Sequence, residues 1–203
     1  MAWAEREIHV NKTKITTRIY NGLLFPIAGE YAIDPVHSFT CFNAQHLMVG
    51  QIWGCFDSLK GKIIISEDPL LSSLDITIDT ASLSTHNKKR DEDLSDAKYL
   101  DVKNFPTITY HSTGAKVEPG GHLTVEGKLT IRDVTRPVSL DVVFKGIVDD
   151  PWGNTRIAFT GNTKISRKDF GLMTDLMRET GGLLVGKDII INIAIEVLPF
   201  SNA

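Results

Sequence analysis

HLTVEGKLTIR, residues 122–132, sets Leu123, Val125, Gly127, Leu129 and Ile131 at alternate positions, with Thr124, Glu126, Lys128, Thr130 and Arg132 between them. Side chains along an extended chain point to opposite faces with a period of two. The stretch therefore predicts a half-buried strand with an apolar inner and a polar outer face. The same alternation recurs in LDITID (Leu74, Ile76, Ile78), PVSLDVVFKG (Val138, Leu140, Val142, Phe144), RIAFTGNTKI (Ile157, Phe159, Ile165) and DIIINIAIEV (Ile189, Ile191, Ile193, Ile195, Val197). TITYHS (107–112), KGKIII (60–65) and the segment 34–46 bring the expectation to about eight strands. Turn signals such as EPGG, DDPWGN and SEDPLLSS separate them. Mostly short connections imply antiparallel neighbours, hence an all-β sandwich or barrel.

Two segments break this rhythm. RDEDLSDAKYLD (90–101) offers Asp91 as an N-cap and spaces Leu94, Ala97 and Leu100 three apart, which predicts a charged surface helix with one narrow apolar stripe. FGLMTDLMRETGG (170–182) sets Leu172, Met173, Leu176 and Met177 at helical spacing before Gly181 and Gly182, a helix that would stop at the glycines and close over one end of a barrel.

At 203 residues, 42% hydrophobic and 23% charged, the chain is long enough for one sizeable core. A net charge of -3 without a basic block removes the electrostatic footprint of a nucleic-acid partner. No apolar run has the length of a transmembrane helix. Lys12, Lys14 and Arg18 precede GLLFPIAG (22–29) in a layout that faintly resembles a secretory signal. The run is short, however, Pro26 breaks it, and Glu5 and Glu7 occupy the would-be positive region. The expectation is a cytoplasmic location, or a periplasmic or secreted one if the N-terminal segment is processed. EIHVNKTKITTRI (7–19) sets Ile8, Val10, Lys12 and Lys14 on one face and would suit an exposed edge strand.

DPVHSFTCFNAQH (34–46) combines one cysteine and two histidines, residue types that metal sites and nucleophilic sites share. In an extended chain His37 and Cys41 have one parity and His46 the other, so the three do not converge on one ion. No C-x-x-C or H-x-x-x-H pair occurs in the chain, and neither a metal site nor a catalytic one is expected. Cys41 and Cys55 form no disulfide framework, and thirteen residues around a hairpin need not set them opposite each other. Two free thiols in a reducing compartment are expected.

YAIDPVHSFTCFNAQH, IWGCFDSLKGKI, SSLDITIDTASLSTHNKKRDEDL, FPTITYHST, VEGKLTIRDVTRPVSLDV, DPWGNTRIAFTGNTKISRKDFGL and VGKDIIINI resemble, in order, successive blocks of the YceI-like family of polyisoprenoid-binding proteins. RDEDL, GKLTIRDVTRPV and SRKDFGL are the most specific. The resemblance covers roughly residues 29–198. It implies a bacterial, lipocalin-like extended antiparallel β-barrel of eight strands with two short helical inserts, whose apolar interior holds a polyisoprenoid, a prenylated quinone or another long-chain lipid. The domain would span 29–199 behind an N-terminal extension, 1–28. No other cofactor or metal is implied, and a homodimer is left open.

In the family pattern positions 42 and 44 are apolar and 46 is histidine, matched here by Phe42, Ala44 and His46. These share a parity and are expected to face the bore. Cys41 then faces outward and His37 lies at the strand entrance. An unpaired polar group in an apolar bore costs about 1–3 kcal/mol, so His46 should hydrogen-bond to a neighbouring strand or contact a ligand head group. Parity adds Ile52, Phe56, Ile76, Ile78, Ile108, Tyr110, Leu129, Leu140, Phe144 and Phe159, each as core packing or ligand contact. Arg167 falls at one end of the bore and should meet a head group, a loop or an acid such as Asp169. Ser82, Thr85, Asn87, Arg90 and Asp91 suit turn and helix-cap bonds. The expected function is non-enzymatic carriage or storage of an isoprenoid-type lipid. Two alternatives stand beside it: an enzyme acting on a lipid or quinone with His46, Tyr110 or Arg167 as acid or base, and a structural barrel filled by its own side chains.

Overall fold

The computed structural model describes residues 17–21, 23–47, 49–118, 122–172 and 185–200. Its strand segments are β1 (Thr17–Tyr20), β2 (Leu23–Pro26), β3 (Gly29–Ile33), β4 (Phe39–His46), β5 (Gly50–Phe56), β6 (Leu59–Ile65), β7 (Ser73–Asp79), β8 (Leu83–Ser84), β9 (Thr107–Glu118), β10 (His122–Ile131), β11 (Val134–Asp149), β12 (Thr155–Ser166) and β13 (Val185–Pro199). β3 and β4 are one barrel strand interrupted at 34–38, and β5 and β6 are one interrupted at 57–58. β7 and β8 are one interrupted by a 3-10 turn, Thr80–Ser82. With β9 to β13 they make eight antiparallel strands, and the β12–β13 pairing closes the barrel.

The alternation that predicted these strands is the alternation that fills the interior. Ile157 and Val197, opposite each other across β12 and β13, are wholly inaccessible to solvent. Leu123, Leu129, Ile131 and Leu140 are buried from β10 and β11. Each such side chain contributes about 1.5–3 kcal/mol by leaving water. Gly127 answers to packing as well as pattern: it sits where the β9–β10 register shifts, and a Cβ there would run into the ring and hydroxyl of Tyr110.

α1 (Lys88–Ser95) starts earlier than its sequence signal. Its N-cap is Asn87, whose side chain accepts from the Arg90 N–H at 3.0 Å, rather than Asp91. Asp91 lies within the first turn and instead accepts from the Thr85 N–H and hydroxyl at 2.8 and 2.5 Å. Arg90 returns to the Thr85 hydroxyl and carbonyl, both at 2.7 Å. Thr85, Asn87, Arg90 and Asp91 are thus the structural locks expected of them, and they fasten the helix to the strand end before it.

The thiol expectation is overturned. Cys41 and Cys55 form a disulfide. The chain reverses so tightly between β4 and β5 that His46 pairs with Gly50, and this register sets Cys41 directly opposite Cys55. Their equal parity then puts both sulfurs on the same face. Closing a loop of 14 residues restricts the unfolded chain by about 3 kcal/mol in the entropic account.

Of the expected edge strand, 7–19, only the end, 17–19, can be seen. β1 pairs with β2 in a hairpin of its own, while Ile8, Val10, Lys12 and Lys14 lie outside the described residues. So do 173–184, which carry most of the second expected helix. Of that segment only 170–172 is described: Phe170 ends a 3-10 turn, Arg167–Phe170, and Gly171 follows at φ 66°.

Candidate functional site

Inward side chains do not fill the barrel. A cavity of about 1160 Å3 runs through it, open beside α1. β4 contributes Phe42, Ala44 and His46, β5 contributes Ile52 and Phe56, and β7 contributes Ile76 and Ile78. Ile108 and Tyr110 of β9, Leu129 of β10, Leu140 of β11 and Arg167 complete the expected residues that line it. Phe159 faces a second, smaller cavity beyond it. Phe144 lines neither: it packs beside Phe159, ring centroids 5.5 Å apart.

The sequence reading missed one wall. Leu94, Tyr99 and Leu100, from α1 and the segment after it, border the mouth, so the helix is more than a solvated face. Its apolar stripe was the available signal. Leu83, Ile131, Ile165, Leu172, Ile189, Ile191 and Ile193 also line the cavity, and most of them carry the same alternation as the residues selected.

The polar groups divide by position. His46 is half-buried near the mouth, and among the described residues its imidazole has no hydrogen-bond partner. Among those residues no bond from the ring to a neighbouring strand is seen, and its partial exposure leaves it open to water. The Tyr110 hydroxyl lies between the carbonyls of Val125 and Val138, at 3.0 and 3.1 Å. Burial, and after it Glu126, pushes its pKa well above the usual phenol value. A phenol so held is a poor acid or base at neutral pH. Arg167 is buried and donates to the carbonyls of Leu172 and Gly186, at 2.9 and 3.4 Å, with no Asp169 ion pair among the described contacts. Burial lowers its pKa, and Tyr99 partly opposes that. Thr40 adds a hydroxyl on the cavity wall that has no hydrogen-bond partner among the described residues.

The other end of the barrel is tied by charge. Arg156 of β12 donates to Asp34 at 2.5 Å, Asp150 at 2.9 Å and Glu196 at 3.1 Å. This joins the β3–β4 interruption, the β11–β12 turn and β13. His37 sits 2.8 Å from Asp34. Ligand atoms of Asp34, His37 and Glu196 lie within 4.8 Å of one another, spacing that would suit a metal ion, but the guanidinium already supplies the positive charge there. Burial pushes the Asp34 carboxyl up, and hydrogen bonds from Arg156, His37 and the Val36 N–H outweigh it, holding the group at about 2. Asp150 is likewise held at about 2: burial raises it, while Asn154, Arg156 and the Trp152 N–H lower it further.

Among the described residues no helix is long and apolar enough to cross a membrane. The family model for the YceI-like domain matches residues 31–197. Protein YceI of Salmonella newport (strain SL254) is 39% identical over 153 residues, which cover 74% of this chain and 80% of that protein. Among solved structures, Burkholderia cenocepacia BcnA superposes with a TM-score of 0.71 at 21% identity, covering 81% of this chain and 98% of that one. A polyisoprenoid binding domain from Saccharophagus degradans, implicated in plant cell wall breakdown, superposes with a TM-score of 0.63 at 15% identity, covering 84% and 98%. At these identities the two structures establish a shared fold.

Proposed function

We propose, given that this chain belongs to the YceI-like domain family, that its barrel carries or stores a long-chain isoprenoid-type lipid without chemically changing it. The observation that carries the reading is the cavity itself: about 1160 Å3, walled by Ile, Leu and Phe and open at one end. A benzene-sized cavity of about 150 Å3 implies about 25 Å3 per carbon, so the space takes on the order of 45 carbons as an upper bound, its mouth included. Burying each methylene stabilises the complex by about 0.8 kcal/mol. Several isoprene units thus outweigh the association and ordering costs. A relative in fold that is a polyisoprenoid binding domain supports the ligand class, and a prenylated quinone meets the same requirements.

Neither alternative gains comparable support. A self-filled barrel would not leave this volume, and of the three candidate acid–base groups Tyr110 and Arg167 are committed to backbone carbonyls. The Cys41–Cys55 disulfide removes the free-thiol argument for a cytoplasmic location. Such bonds persist mainly in oxidising compartments, which supports the periplasmic or secreted alternative.

Titrating delipidated protein with an all-trans prenol tests the function. Saturable binding of one chain per barrel is expected, while a folded barrel that takes up no prenol, prenylated quinone or fatty amide contradicts it.

A further inference from the structure

We propose that Phe25, on the β1–β2 hairpin, is the length stop of the bore and sets the longest tail the protein accepts. The inference rests on the lipid-carrier reading and concerns a residue outside the family-matched segment, 31–197. Beyond the main cavity lies a second one of about 90 Å3. Ile76, Leu140 and Ile193 line both, so the two spaces are successive stretches of one bore with these three side chains between them. The smaller space is almost wholly apolar in its lining, and Phe25 forms part of its wall. Being smaller than the ~150 Å3 that admits benzene, it suits the branched methyl terminus of a prenyl chain rather than a ring or a head group.

Phe25 reaches this position from outside the barrel. It is only 5% exposed, yet its strand pairs with β1 alone among the described pairings. The hairpin is anchored instead to the connection between β6 and β7. Arg18 donates to the Glu67 carbonyl at 2.6 Å, to the Glu67 carboxylate at 3.1 Å and to the Ser66 carbonyl. The Tyr20 ring stands edge-on to Phe25, centroids 6.2 Å apart. An aromatic ring fixed from behind at the end of a dry channel limits what enters from the front.

The test titrates full-length, delipidated wild type and variants with a ladder of all-trans prenols of increasing length. In the wild type, affinity rises with each added unit until the bore is full and then levels off. Phe25→Ala frees a space of about benzene size, ~150 Å3, enough for one more five-carbon unit. The break is expected one unit later, with the first homologue past the wild-type limit bound at least about tenfold tighter. Phe25→Trp should move the break to shorter chains, and Leu24→Ala, on the exposed side of the same hairpin, should leave it unchanged. A break at one length in all the folded variants overturns the proposal and assigns Phe25 a purely structural role. If the wild type binds no prenol of any length, the carrier reading itself fails, a result separate from an unmoved break.

Discussion

An Ile78→Asp variant is expected to bind a prenyl lipid at least about 100-fold more weakly than the wild type, while Lys128→Asp is expected to stay within about twofold. Ile78 is 8% exposed and lines the main cavity. A carboxylate there must either strip its hydration, at a cost of several kcal/mol, or take up a proton and still present a polar group to the tail. Each 1.4 kcal/mol is tenfold in affinity, so about two such steps give the stated loss. Lys128 lies on the outward parity of β10 and is exposed. Because a buried carboxylate also threatens the fold, Ile78→Asn, which carries no charge, is measured beside it with circular dichroism on both. Equal retention in folded Ile78→Asp and Lys128→Asp would place the lipid elsewhere than the bore.

Arg156→Met is expected to produce the largest loss of stability. The substitution keeps much of the apolar stem but leaves Asp34 and Asp150, with side chains 9% and 5% exposed, without their cation. Both carboxylates then lack the charge that offsets their loss of hydration, and the melting temperature is expected to fall by several degrees. The acid limb should change with it. Both carboxyls are held at about 2 against an ordinary 3.8. Groups depressed in this way stabilise the fold above their unfolded value, and that contribution is lost as pH falls through the folded value. Wild-type stability should therefore decline between about pH 4 and pH 2, and Arg156→Met should show a shallower decline. Thermal melts across that range check both statements. An unchanged melting temperature and acid limb would mean that the closed end of the barrel does not depend on this cluster.

The barrel was legible in the sequence because each strand carries its own evidence: Leu123 to Ile131, or Ile189 to Val197, alternate over a length that no other regular structure accommodates. The same parity identified nearly all the selected lining residues, since the inner face of a closed barrel is also the wall of its bore. Parity does not give height along the barrel axis. Phe144 has the right parity and lies outside both cavities, whereas Thr40, not among the selected residues, shares a face with Phe42 and Ala44 and lines the main one. The disulfide was missed because it depends on the register of β4 against β5, fixed by a turn whose tightness Leu47 and Val49 do not announce. Arg156 was invisible for a related reason. Its partners Asp34 and Glu196 are 122 and 40 residues away, and only barrel closure brings them together.

The measurement that bears most directly on the carrier reading is organic extraction of the protein, purified from its native host without detergent, followed by mass spectrometry of the extract. A cavity of about 1160 Å3 walled by Phe42, Ile76, Ile78 and Ile191 binds apolar chain far better than it binds water, and bound lipid should survive purification. The expected result is a lipid with one long, branched hydrocarbon tail, in near-stoichiometric amount, depleted in Ile78→Asp and retained in Lys128→Asp. An extract without lipid, from folded protein that also takes up no prenylated quinone or fatty amide, would contradict the account.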